Sequence, residues 1–229
     1  MRAVRRTGIV LLILFVLLAI ADRVGVGLAE DEAASRINGR YGMEGDPKVE
    51  IEGIPFLTQL VGGELDKVKF SAPRARVTAG GERISFTKLK VTAEGIEPKN
   101  SFSSFHIDRA TGSAMISYAD FNKVLGREGT TVKYGGKPGR LRFSTQVKML
   151  GRTIHQSGTA TVRVRNGDTL SPDDLDLDRS KIPGLSQLVA GSMDMTRKFS
   201  ELPVGMKVKS VEPAREGVHI SLTGQGLNL

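Results

Sequence analysis

The sequence predicts an α+β protein with a single domain after its N-terminal segment: a long, curved antiparallel β-sheet wrapped around a helix. Three observations predict it. Apolar and polar residues alternate with period two in segments of about ten residues, the signature of strands buried on one face. Gly-Gly pairs and Asn166-Gly167 fall between such segments, where hairpins need turns. One late segment, Gly184 to about Glu201, is apolar around much of its circumference, as a helix enclosed by sheet would be.

At the N-terminus, Arg2, Arg5 and Arg6 precede an uncharged apolar run from Ile9 to Ala21. A basic lead, a short apolar core and the small-residue ending Ala19-Ile20-Ala21 have the plan of a secretory signal. Residues 1–21 read as a signal peptide or a signal-anchor, and both place residues 22–229 outside the cytoplasm. From Asp22 to about Arg40 a helix is expected, with Val24, Leu28 and Ile37 as its apolar stripe and an acidic middle at Glu30, Asp31 and Glu32. Those acids favour packing on the domain over lying on anionic lipid.

A short strand through Val49 and Ile51 then runs into Gly53-Ile54-Pro55-Phe56-Leu57-Thr58-Gln59-Leu60, closed by Gly62-Gly63. Pro55 cannot donate to a ladder, so the strand ends or bends here. Phe56, Leu57, Leu60 and Val61 make one apolar face of a helical turn. That face serves either as a core plug at the end of a sheet or as the mouth of an apolar cavity.

Strand patterns follow at Val68/Phe70, Ala75/Val77, Ile84/Phe86, Leu89/Val91 and Phe105/Ile107, with basic residues in the opposite phase. Ser117 heads a helix to Leu125, with Asp120 in the capping-box position and Tyr118 and Phe121 on its apolar stripe. Leu141 to Met149 and Ile154 to Val164 are the two clearest strands, and a last hairpin joins Met206–Val211 to Val218–Leu222.

Composition narrows the function. With 39% hydrophobic and 25% charged residues the chain is globular, and 229 residues suffice for one substantial core. The absence of cysteine excludes disulfides, thiolate nucleophiles and Cys-based metal centres. His106, His155 and His219 occupy the polar phase of strands without metal-binding spacing, and no Gly-x-Ser-x-Gly elbow occurs. Asp174, Asp176 and Asp178 have the opening spacing of a calcium loop, but Arg179 stands where Gly is required and Leu185 where Glu is required; a solvated acidic loop is expected. The Gly-Gly pairs lack a Lys-Ser/Thr partner and read as turns. No metal or cofactor is expected. Nucleic acid is disfavoured by the export signal and by the lack of aromatic–basic interleaving.

The segment from Gly53 to Leu60 resembles the corresponding motif of the LmeA-like phospholipid-binding envelope proteins of actinobacteria. The N-terminal apolar segment with its helix, the helix from Ser117 and the Leu202-Pro203-x-Gly205 run with its closing hairpin resemble that family in pattern. The resemblance implies a tubular lipid-binding fold, an apolar groove for acyl chains, an envelope location and a non-enzymatic supporting role in lipoglycan (lipomannan) synthesis. On this reading Phe56, Leu57, Leu60, Val61 and Phe121 contact lipid, together with Leu188, Val189, Met193 and Phe199 of the late helix. The partners would be anionic phospholipid, the membrane surface and an envelope glycosyltransferase. The alternative is a scaffolding envelope protein with a dry core that binds an envelope enzyme. A hydrolase is the weakest reading, because no nucleophile–base pair can be nominated.

Overall fold

The computed structural model describes residues 2–41, 43–79, 82–99, 104–125, 129–149, 152–167, 169–178 and 205–228. The helix expected from Gly184 to Glu201, with Leu188, Val189, Met193 and Phe199, lies outside the described residues.

A 40-residue helix, α1 (Arg2–Tyr41), comes first. Two short strands, β1 (Met43–Glu44) and β2 (Lys48–Glu52), are followed by the short helix α2 (Phe56–Gly62). Three long strands succeed it: β3 (Leu65–Ala79), β4 (Glu82–Lys99) and β5 (Ser104–Ile116). Helix α3 (Tyr118–Leu125) leads to β6 (Thr131–Tyr134), β7 (Arg140–Met149), β8 (Arg152–Arg165) and β9 (Thr169–Leu177). A hairpin of β10 (Met206–Ala214) and β11 (Gly217–Asn228) completes the described chain.

The antiparallel α+β architecture is as the alternation predicts, but it is built as two sheets. The larger runs β1-β3-β4-β5-β11-β10, with β2 also on β3; the smaller runs β6-β7-β8-β9. Segments that alternation alone separates are fused. Val68/Phe70 and Ala75/Val77 both belong to β3, which passes through Pro73 with its register on β4 unchanged; the bulge at Lys88, with φ 53, falls in the pairing of β4 with β5 on its other side. At 18 residues β4 extends about 55 Å.

The sheets meet along β10. Val208 N–H donates to Gly167 O at 2.6 Å and Gly139 N–H to Pro213 O at 2.9 Å. Between the sheets lies the main core, with Ile84, Ile116, Phe121, Val132, Phe143 and Val218 all sealed from solvent. A second, smaller cluster of Ile96, Ile107, Ala110 and Leu227 sits toward the other end of the larger sheet, fringed by half-buried Leu65, Val68, Phe105 and Met206.

Helix α3 fastens the junction. Ser117 caps it, its Oγ accepting from Asp120 N–H at 3.1 Å and donating to Asp120 Oδ2 at 2.9 Å. Burial pushes the Asp120 carboxyl up, but hydrogen bonds from Lys123 and Ser117 outweigh it and hold the group below its ordinary value. The Asn122 amide substitutes for a neighbouring strand, donating to Val132 O at 3.0 Å and accepting from Val132 N–H at 2.8 Å. Tyr118 donates its phenol to Ala214 O at 2.7 Å; burial, with Tyr134 nearby, pushes its pKa up to about 12.

Two expectations are corrected. The acidic run from Asp173 is strand β9, not a solvated loop; Arg140 pairs with Asp174, Arg142 with Asp178, and Arg163 with Asp173 at 2.5 Å. Cross-strand arginines offset the charge of the run; Asp173 and Asp176 take ladder positions, Asp174 bulges out at positive φ and Asp178 lies just past the strand end. Asn166 and Gly167, both at positive φ, make the turn that brings β9 back on β8. The second correction concerns α1. Its packing face carries Asp22 and Val26, both buried, while Val24 and Leu28 point away.

Candidate functional site

Strand β2 ends at Glu52, and the chain turns through Gly53 at φ +110 and a cis Ile54–Pro55 bond. Pro55 takes the N-cap position of α2 with an extended backbone and supplies no side-chain hydrogen bond. The first turn of α2 therefore needs an acceptor from elsewhere. Asp22 on α1 provides it: Oδ1 accepts from Leu57 N–H at 2.8 Å, while Arg23 donates to Oδ2 at 2.6 Å. One turn further, Gly25 faces Phe56 and Leu57 closely enough that an added methyl would touch both side chains. About two turns past Asp22, Glu30 Oε1 accepts from Ile51 N–H at 2.7 Å, so one of the three acids in the middle of α1 caps backbone.

The far side of α2 is closed as firmly. Gly63, in the left-handed region at φ 76, lets the last turn bond back to Gln59 O and Leu60 O. Gln59 Oε1 accepts from Asp66 N–H at 2.8 Å and ties α2 to the start of β3. Its amide nitrogen lies against Gly53, where any side chain would come within 2.2 Å of it. That nitrogen is buried without a hydrogen-bond partner.

These contacts explain the motif residue by residue. Gly53 makes room for Gln59, Pro55 sets the entry to α2, and Phe56 packs inward and is only 4% exposed. Leu57 gives its N–H to α1, and Gln59 holds β3.

The expected lipid-contacting residues fall into separate places. Phe56 is buried and Leu57 half-buried against α1, whereas Leu60 and Val61 are exposed on the outside of the same turn. Phe121 lies in the core between the sheets. The two groups are about 30 Å apart along β4: α2 leads into Leu65, opposite Ile96, while α3 follows Ile116, opposite Phe86. Leu188, Val189, Met193 and Phe199 lie outside the described residues.

The strand faces that the sequence marks as basic are matched by carboxylates. Lys67 reaches Glu94 at 3.3 Å and Glu52 at 3.8 Å, and Lys69 pairs with Glu52. The hydrogen bond to Lys69 lowers the Glu52 pKa, and the same bond raises that of Lys69. Arg74 and Arg76 share Glu44, and Arg109 joins Glu94 at 3.3 Å. On this side of the sheet Glu94, Gly95, Asp108, Arg109, Gln225 and Gly226 line a shallow polar depression of about 490 Å³, and none of the expected lipid contacts is among those lining residues.

A family model now bears on these features: it matches residues 20–223. The chain belongs to the LmeA-like phospholipid-binding family. No curated protein and no solved structure matches the chain. The LmeA-like match begins two residues before Asp22. The family unit thus takes in the part of α1 that caps α2 and omits most of the apolar run. Sequence reading alone did not find Asp22, Gly25 and Glu30. The one available signal was an acid placed directly after an apolar run, where solvation alone seldom rewards it.

Proposed function

We propose that this protein is a non-enzymatic, exported phospholipid-binding protein that carries lipid through the cell envelope and supports lipoglycan synthesis there. The observation that supports it is family membership across residues 20–223, on a scaffold of half-apolar strands long enough to lie along acyl chains. Each methylene removed from water contributes about 0.8 kcal/mol, so acyl burial alone is a sufficient driving force. We assign the acyl chains to the α2 end of the larger sheet, where the smaller core cluster is fringed by half-buried Leu65, Val68, Phe105 and Met206. Leu57 and Leu60 flank that end; Leu188, Val189, Met193 and Phe199, expected in the same role, lie outside the described residues. The main core around Phe121 is sealed and is given a structural role.

Export rests on Arg2, Arg5 and Arg6 ahead of a helix long and apolar enough to cross a membrane. Basic residues stay on the cytoplasmic side, which would place the β domain on the other.

The test is lipid content. Residues 22–229, purified without detergent, are extracted with organic solvent and the extract is weighed by mass spectrometry. Phospholipid near one molecule per chain supports the reading, and its headgroup shows whether anionic lipid is selected. A clean extract from a folded sample that takes up no lipid from vesicles would favour a dry scaffold that binds an envelope enzyme.

A further inference from the structure

We propose that α2 and the adjoining turns of α1 form a collar embedded in the bilayer interface where α1 leaves the membrane, so that the β domain stands on its α2 end. The occupant of this surface is the bilayer that holds α1, whether or not the domain also holds a lipid molecule.

The distribution of exposed apolar side chains is the first argument. Among the described residues, every large apolar side chain that is exposed lies either in α1 or in the turn at 54–61. In α1 the residues from Leu11 to Ile20 are between 47% and 70% exposed, as for a helix surrounded by lipid. Beyond them come Val24 at 57%, Leu28 at 66%, Ile54 at 81%, Leu60 at 41% and Val61 at 90%. A water-facing origin for so concentrated a patch would leave it uncompensated.

Length is the second. The run from Ile9 to Ala21 covers only about 20 Å as a helix, against about 30 Å for a bilayer core. Helix α1 continues unbroken, and the turns from Asp22 to Leu28 supply the missing 10 Å or so. Two polar residues, Asp22 and Arg23, would spoil that extension, and α2 covers one of them. Asp22 is 4% exposed, with its carboxylate bonded to Leu57 N–H and to Arg23. A buried charge with its hydrogen bonds made is what an apolar interface tolerates. Arg23 stays half exposed at 53%, long enough to reach a phosphate while its stem lies in the apolar layer.

Charge is the third. No charged residue occurs from Gly53 to Gly63, and Glu52 and Glu64 bracket the stretch. A turn with this outline sits in the boundary between headgroups and acyl chains, about 5–10 Å deep. The Asp22–Leu57 bond then sets the level of α2 relative to the span.

The absence of cysteine makes the test direct. Val61→Cys and Ile54→Cys, with Lys137→Cys on the β6–β7 loop as control, are made in the full-length chain and labelled with an environment-sensitive fluorophore. Each is reconstituted into phosphatidylcholine vesicles with ordinary or brominated acyl chains, after intact mass confirms that α1 is present. The labels at 54 and 61 should shift to the blue and lose most of their emission to the brominated chains, and the label at 137 should do neither. Bromine-insensitive labels at 54 and 61 overturn the proposal. So does a blue shift without bromine quenching, which would mean that a second protein copy covers the patch. Neither outcome touches the lipid content of the domain, which organic extraction reads separately.

Discussion

The two ends of the larger sheet are built from similar strands and finished in opposite ways. At the junction with the smaller sheet, α3 closes the end with Phe121 turned inward, and Val132 and Val218 are wholly sealed. At the α2 end the cluster is small and its fringe half-exposed, and the covering turn directs Ile54, Leu60 and Val61 outward. Both ends have capped helices and satisfied backbone, so neither is loosely made. On the reading proposed above, the difference is one of partner: the junction is packed by the chain itself, and the α2 end is completed by apolar surroundings. Substitutions that treat the ends alike should separate them.

The largest effect is expected at the junction. Phe121→Ala removes a fully buried ring from the contact between α3 and both sheets and should cost about 3–5 kcal/mol, read as a fall in the urea midpoint of residues 22–229. Loss of this size with the lipid content per folded molecule unchanged would confirm a structural role for Phe121.

Next comes the link between α1 and α2. Asp22→Ala deprives Leu57 N–H of its acceptor and should cost about 0.5–2 kcal/mol, as for other lost caps. The loss should appear as faster hydrogen exchange in α2 and β2 while β7 and β8 stay protected. Uniform loosening of both ends would contradict the separation drawn above.

Ser117→Ala is the corresponding change at the other end and should cost about 1 kcal/mol. It carries a pH signature through Asp120, whose carboxyl is held below its ordinary value in the fold. A depressed acid favours the folded state above the unfolded carboxylate range, and that contribution disappears as pH falls through the depressed value. Thermal scans of Asp120→Asn should therefore converge on those of the unmodified chain as the solution is acidified, and a constant gap would refute the coupling.

These two caps also mark what the sequence made legible. Ser117 and Asp120 are three residues apart, so their capping relation is visible in the string and present in the fold, as is the Asn166-Gly167 turn. Asp22 and Leu57 are 35 residues apart, and nothing local says that an acid after an apolar run will cap a helix that Pro55 leaves open. The choice of α1 face failed for a related reason. Val24 and Leu28 were the most apolar pair, but the domain takes the face with Gly25 and two capping carboxylates, because close approach and backbone satisfaction decide a contact against a short helix. Period two told the phase of each strand but not where one ladder ends, so the smaller sheet and the recruitment of the acidic run as β9 were out of reach. The placement of Phe56 in the interior and Val61 outside follows from the same limit: a helical turn has an apolar face on paper, and only its neighbours choose which part of it is covered.

The smallest effect on stability is expected where the side chain is most apolar and least covered. Val61→Ser changes a residue that is 90% exposed and should move the urea midpoint of residues 22–229 within the scatter of a surface substitution, about 0.5 kcal/mol either way. In water the change is silent, because Val61 gives up no protein contact. In a membrane it is not silent, because an apolar side chain in the interface gains what a hydroxyl forgoes. The full-length protein carrying both Val61→Ser and Ile54→Ser should keep its fold and its α1 span. Its label at Leu60→Cys should nonetheless lose sensitivity to brominated acyl chains relative to the parent. Equal quenching in the two backgrounds would mean that the outward residues do not hold the collar down, and the contrast between the two ends would then reduce to a difference in core size.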